Sequence, residues 1–136
     1  MHVRLILRIA LVLLFAGGGG YAAEAALLHC TPEAGRLQVR IDGFGRGDRI
    51  PAGLETFTAY IRAGADEYEM FTEDMRASAM QEDVLRIEAE RALSAGEAAQ
   101  LSFEGKAAAN GEDFIARVTF RAEGRLLHGE MRCRLI

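Results

Sequence analysis

The chain has 136 residues, half of them apolar, with 16 basic and 20 acidic side chains and a formal net charge of −4. That length and apolar share suit one domain with its own core. The acidic balance excludes a nucleic-acid binder that works by bulk charge.

The N-terminus reads as a secretory leader. Arg4 and Arg8 precede the unbroken apolar run Ile9–Ala16, and small residues come next. Cleavage is expected after Ala22 or Ala25, both of which satisfy the small-x-small rule. Residues 1–25 are therefore assigned to the signal peptide and residues 26–136 to a single periplasmic or secreted domain. The apolar run falls short of the ~20 residues of a membrane span, so no stable membrane anchor is expected after cleavage. Leu27-Leu28-His29-Cys30 ends as a lipobox does, but His29 stands where a small residue is required. Cleavage after Ala25 removes Arg4, Arg8 and Glu24 and leaves 14 basic against 19 acidic residues, a net of −5.

Cys30 and Cys133 are the only cysteines and lie near the two ends of the exported chain. In an oxidising compartment they are expected to form a disulfide. Closing a loop of that length removes ~4–5 kcal/mol of freedom from the unfolded state in the chain-entropy model.

Period-two alternation dominates the exported chain. Leu37, Val39 and Ile41 alternate with Gln38, Arg40 and Asp42, which predicts a half-buried strand. Next comes "GFGRGD", Gly43–Asp48. It lacks the spacing of a dinucleotide or Walker loop, and Pro51 pushes Ile50 towards an extended conformation rather than a helix. A flexible connector is expected there. Phe57, Ala59 and Ile61 alternate with Thr58, Tyr60 and Arg62 as a second strand, and "AGAD" at Ala63–Asp66 reads as a turn.

Residues 76–92 are ambiguous. Glu82, Arg86 and Glu90 stand four apart, as on a helix face, while Leu85, Ile87 and Ala89 alternate with charged residues, as in a strand. A strand at Val84–Glu90 is the favoured reading. Further strands are read at Leu101–Gly105 and Phe114–Phe120, with Asn110-Gly111 as a turn signal between them.

The clearest expectation is a C-terminal hairpin turning on Glu123-Gly124. It pairs Ala122 with Arg125, Phe120 with Leu127, Val118 with Gly129, Ala116 with Met131 and Phe114 with Cys133. On the other face Arg117 meets Glu130. The fold class expected is all-β: a small antiparallel β-sandwich (Ig-like) of about seven strands. The alternatives are a small β-barrel, or α+β with one short helix near 76–92.

Chemistry-bearing constellations are sparse. If Cys30 lies opposite Cys133, His29 faces Arg134 and His128 faces Gly35, ~20 Å away along the strands. No metal and no cofactor are therefore expected. Met70, Met75 and Met80 recur every five residues, which suits core filling better than a thioether site. No G-x-S-x-G elbow occurs, and Ser78, Ser94 and Ser102 have no histidine nearby in sequence.

Charge is unevenly spread. Asp66–Glu90 holds nine acids against Arg76 and Arg86, whereas Phe114–Ile136 holds five arginines against Glu123 and Glu130. Asp66, Glu67, Glu69, Glu73 and Asp74 are the candidate acidic face for a basic protein partner. The plainer alternative is a solvated face that keeps an exported protein soluble. The function expected is a non-enzymatic exported binding module, such as an inhibitor, assembly factor or accessory subunit. A carrier with an apolar lumen lined by Phe57, Phe103, Phe114 and Phe120 is the second reading. A small hydrolase with a carboxylate pair is the third.

Overall fold

The computed structural model describes residues 25–46, 53–94, 96–108 and 111–136. The leader lies outside the described residues except for Ala25, which opens the first strand.

Among the described residues, alternation of apolar and polar residues builds nine strands. They are β1 (Ala25–Pro32), β2 (Leu37–Arg46), β3 (Thr56–Ala63), β4 (Asp66–Met70), β5 (Met75–Gln81), β6 (Val84–Ala92), β7 (Ala98–Lys106), β8 (Asp113–Ala122) and β9 (Arg125–Leu135). A single 3-10 turn, Thr72–Asp74, links β4 to β5. All nine strands belong to one antiparallel sheet in the order β4-β3-β2-β1-β9-β8-β7-β6-β5.

This is all-β, as expected, but with nine strands instead of about seven. They form one continuous curled sheet, so the half-barrel is a closer description than a two-sheet sandwich. The curl comes from the pattern. One face of most strands is apolar, no helical layer among the described residues covers it, and a twisted sheet buries that face by rolling onto itself. Residues 76–92 hold two strands and their turn where the α+β alternative placed a helix.

The order is a plain meander interrupted at one place. The first and last described strands meet in the middle of the sheet, where β1 pairs with β9, and the two sheet edges, β4 and β5, are consecutive in sequence. Leu27 and Ile136 exchange both backbone hydrogen bonds at 2.9 Å. Alternation then makes Cys30 and Cys133 a non-hydrogen-bonded pair, the type in which Cα atoms come closest. Their Cα atoms are 4.0 Å apart and the disulfide is formed.

The core lies on the concave face. Phe57, Phe103 and Phe120 are fully buried, with Leu28, Ile41, Ile61, Leu85, Ile87 and Leu101 among them. Each such side chain stabilises by about 1.5–3 kcal/mol on leaving water. The C-terminal hairpin has the register read from the sequence at every pair, from Ala122 with Arg125 to Phe114 with Cys133. Its large-meets-small order is enforced at Val118 opposite Gly129. A Cβ on Gly129 would come within 2.9 Å of the Leu37 carbonyl oxygen.

One local expectation is corrected. Gly43–Arg46 is not part of a connector. It continues β2, pairing with Ala25–Leu28 on one side, while Gly43 and Phe44 pair with Phe57 and Thr56 on the other. Gly43 faces inward, where a Cβ would meet Leu54 Cδ1 at 2.5 Å, so the missing side chain leaves room for Leu54. Gly47 and Asp48, the rest of that motif, lie outside the described residues. The β7–β8 register, with Gly105 opposite Ala116, is centred on Asn110-Gly111 as the turn signal expects, and Asn110 itself lies outside the described residues.

Candidate docking face on strands β2 to β4

The convex surface is a mosaic of cross-strand polar rows. Glu130, Arg117, Glu104 and Arg86 succeed one another across β9, β8, β7 and β6, with Arg86 Nε 3.4 Å from Glu104 Oε2. Asp42, His29, Arg134 and Asp113 form another row across β2, β1, β9 and β8. There Asp42 Oδ1 lies 2.6 Å from His29 Nδ1, and Arg134 Nε donates to Asp113 Oδ1 at 2.8 Å. His128 sits apart, 3.2 Å from the Thr119 hydroxyl. The first and last strands do pair with Cys30 opposite Cys133, so His29 faces Arg134.

The five acids read as one face are dispersed by the fold. Strand alternation sends Glu67 and Glu69 to the convex side, opposite Arg62 and Tyr60. Asp66 lies on the other side of β4, opposite Ala63, and receives Arg125 Nη2 at 2.7 Å. Asp74 is buried. Its Oδ2 accepts the Phe71 N–H at 2.8 Å and Arg91 Nη1 at 3.1 Å, and the Arg91 guanidinium lies 5.5 Å from the centre of the Phe71 ring. Asp74 is thus a structural acid that holds the β4–β5 corner. Glu73 is exposed beside it, and its backbone carbonyl accepts Arg76 Nη1 at 3.1 Å.

At the rim of the half-barrel the β8–β9 turn clasps the β3–β4 hairpin. Tyr68 donates its hydroxyl to Glu123 Oε2 at 3.0 Å, and its ring lies 4.9 Å from that of Phe120. Burial, then the hydrogen bond to Glu123, raise the Tyr68 phenol above its ordinary value.

On the convex side of β2–β4 two rows stand out. Gln38, Arg62 and Glu67 make one, and Arg40, Tyr60 and Glu69 the other. Together with Pro32 they line an open cavity of about 340 Å³. Tyr60 is 50 % exposed, a large aromatic presented to solvent between the charged side chains of Arg40 and Glu69. Arg62 Nη2 is engaged by Glu67 at 3.2 Å. Arg40 and Glu69, either side of Tyr60, make no ion pair among the described residues. An adaptable aromatic flanked by an unpaired cation and an unpaired anion can stack on, and pair with, a partner's side chains.

A comparable cavity over β5–β8 is already satisfied internally. Ser102 donates to Glu88 at 2.8 Å and Gln100 to Glu90 at 3.1 Å within it. The inward phenylalanines are 1–8 % exposed and belong to one contiguous core, so they fill the concave side. Sequence pattern alone gives Tyr60 no prominence, because it reads as the polar half of an alternating strand. Its signal is the size of that one outward residue.

No protein-family model matches the chain, and neither a curated protein nor a solved structure shows significant similarity to it.

Proposed function

We propose that the protein is a non-catalytic binding module of an oxidising compartment outside the cytoplasm, and that it docks a protein partner through the convex face of β2–β4. The observation that carries this reading is the half-exposed Tyr60 at an open cavity between Arg40 and Glu69, neither of which is ion-paired among the described residues. Aromatic and arginine side chains are the residue types that concentrate binding energy at interfaces. The leader pattern and the Cys30–Cys133 disulfide support export, since such bridges persist where thiols are oxidised.

The disulfide-bonded protein, immobilised, is expected to retain a partner from the extracytoplasmic fraction of its source cells. Retention should weaken with salt and be lost on Tyr60→Ala and on Glu69→Lys. Retention indifferent to both substitutions would place the interface elsewhere.

A further inference from the structure

The β4 edge of the sheet is open in a specific way. Gly64 and Ala65 turn between Ala63 and Asp66, so the pair flanking this two-residue turn is hydrogen-bonded, as is every second pair beyond it. Asp66, Tyr68 and Met70 therefore direct their N–H and C=O groups to β3. Phe57, on the same β3 edge, extends the pattern by donating its N–H to the Thr72 hydroxyl at 3.1 Å. Glu67 and Glu69 direct theirs away from the sheet. Neither has a backbone hydrogen bond to any other described group. Beyond them the edge closes at Phe71, whose N–H and C=O are both taken by Asp74.

From this edge we infer that β4 receives an extended basic polypeptide segment as a tenth, antiparallel strand. The inference rests on the docking-face reading and names the class of its partner. Two residues, Glu67 and Glu69, offer four backbone groups at the spacing of a β-ladder. Residues of the incoming strand directly opposite them project to the same convex side, about 7 Å apart and about 5 Å from β4. There they meet the carboxylates of Glu67 and Glu69, so they are Lys or Arg. The residue between them lies opposite Tyr68 and projects towards the partly buried Tyr68 ring, so it is apolar. The recognised pattern is basic–apolar–basic, delivered in extended conformation.

A second copy of the chain does not fit the same edge. Two-fold antiparallel pairing of β4 with β4 sets Glu67 of one copy opposite Glu69 of the other, twice over, and like charges directly opposite repel. The acidic edge thus blocks self-association while attracting a basic strand.

The test is fluorescence-anisotropy titration of the full protein with a labelled nine-residue peptide alternating Lys and Val. Binding is expected. N-methylation of the lysines should weaken it by about tenfold or more, since their N–H groups face β4. N-methylation of the valines should leave it nearly unchanged. The paired variant Glu67→Lys, Glu69→Lys, exposed at both positions, should bind about tenfold or more weakly with its circular dichroism intact.

Equal binding of the lysine-methylated peptide, or of a scrambled peptide of the same composition, would overturn strand addition. So would a protein dimer that Glu67→Lys, Glu69→Lys dissolves. If a natural partner is retained through Tyr60 but the peptide never competes with it, strand addition fails while the docking face stands. If the peptide binds but no partner depends on Tyr60, the docking face fails instead.

Discussion

Removing the bond between Cys30 and Cys133 tests how this sheet is held closed. The two residues are 103 positions apart and are buried at 0 % and 1 % exposure. In the unfolded chain the bridge closes a loop of that length, which the chain-entropy model values at about 4.7 kcal/mol. Truncating both residues to alanine also removes two buried sulfur atoms, each comparable to a methylene, at roughly 1 kcal/mol apiece. Comparison with the oxidised protein separates the two effects. The reduced wild-type protein loses only the cross-link, and the doubly substituted Cys30→Ala, Cys133→Ala protein loses the sulfurs as well.

Urea unfolding monitored by far-ultraviolet circular dichroism is the assay. With a slope of about 2 kcal/mol per molar urea, reduction should lower the midpoint by about 2 M, and substitution by up to about 1 M more. The slope itself should rise on reduction, because an uncross-linked unfolded chain exposes more surface. Typical domains have only about 5–15 kcal/mol in hand, so the reduced protein should approach the edge of folding. Oxidised and reduced midpoints within about 0.5 M of each other would refute the reasoning. That result would mean that the β1–β9 pairing persists in the unfolded ensemble and leaves the bridge no entropy to remove.

Three other perturbations act at single positions. Gly53 has φ of +90° and lies against the Ser78 carbonyl, so Gly53→Ala combines a left-handed penalty with a backbone collision. It should cost about 3 kcal/mol or more and lower the melting temperature by at least about 10 °C in a thermal scan. Asp74→Ala strips the acceptor from the Phe71 N–H and the partner from Arg91; it should cost about 2–3 kcal/mol in denaturant titration, and Asp74→Asn distinctly less because it keeps an acceptor. Tyr68 has a folded-state value raised above its unfolded one, so its contribution is complete below the free phenol value of 10.0 and disappears as pH rises through the folded value. Absorbance at alkaline pH should show a late-ionising tyrosinate that Tyr68→Phe abolishes, along with part of the alkaline loss of stability.

The apolar–polar period by itself determined that this is a β protein. It also set the inward face of β2, β3, β6, β7 and β8 and, in the last hairpin, the pairing of every residue. Those properties are local: the side-chain period is two, and a one-residue slip would expose Phe120 and Val118. The disulfide was equally readable, since only two cysteines exist.

Number and closure of the strands were not readable in the same way. β5 and β6 turn on Glu82 and Asp83 at φ of +50° and +66° without a glycine, whereas Glu123-Gly124 carries the glycine that marks such a turn. The acidic segment looks like one face in the sequence because composition counts charges without direction. Pleating sends Asp66 and Glu67 to opposite sides of β4, and the β4–β5 corner buries Asp74. Tertiary structure alone decided that the two sheet edges are consecutive strands, and that one of them leaves the backbone groups of Glu67 and Glu69 without a partner among the described residues. The reason is physical. Which edge stays open depends on how far nine twisted strands roll before their apolar faces are covered, and that distance is a property of the whole sheet.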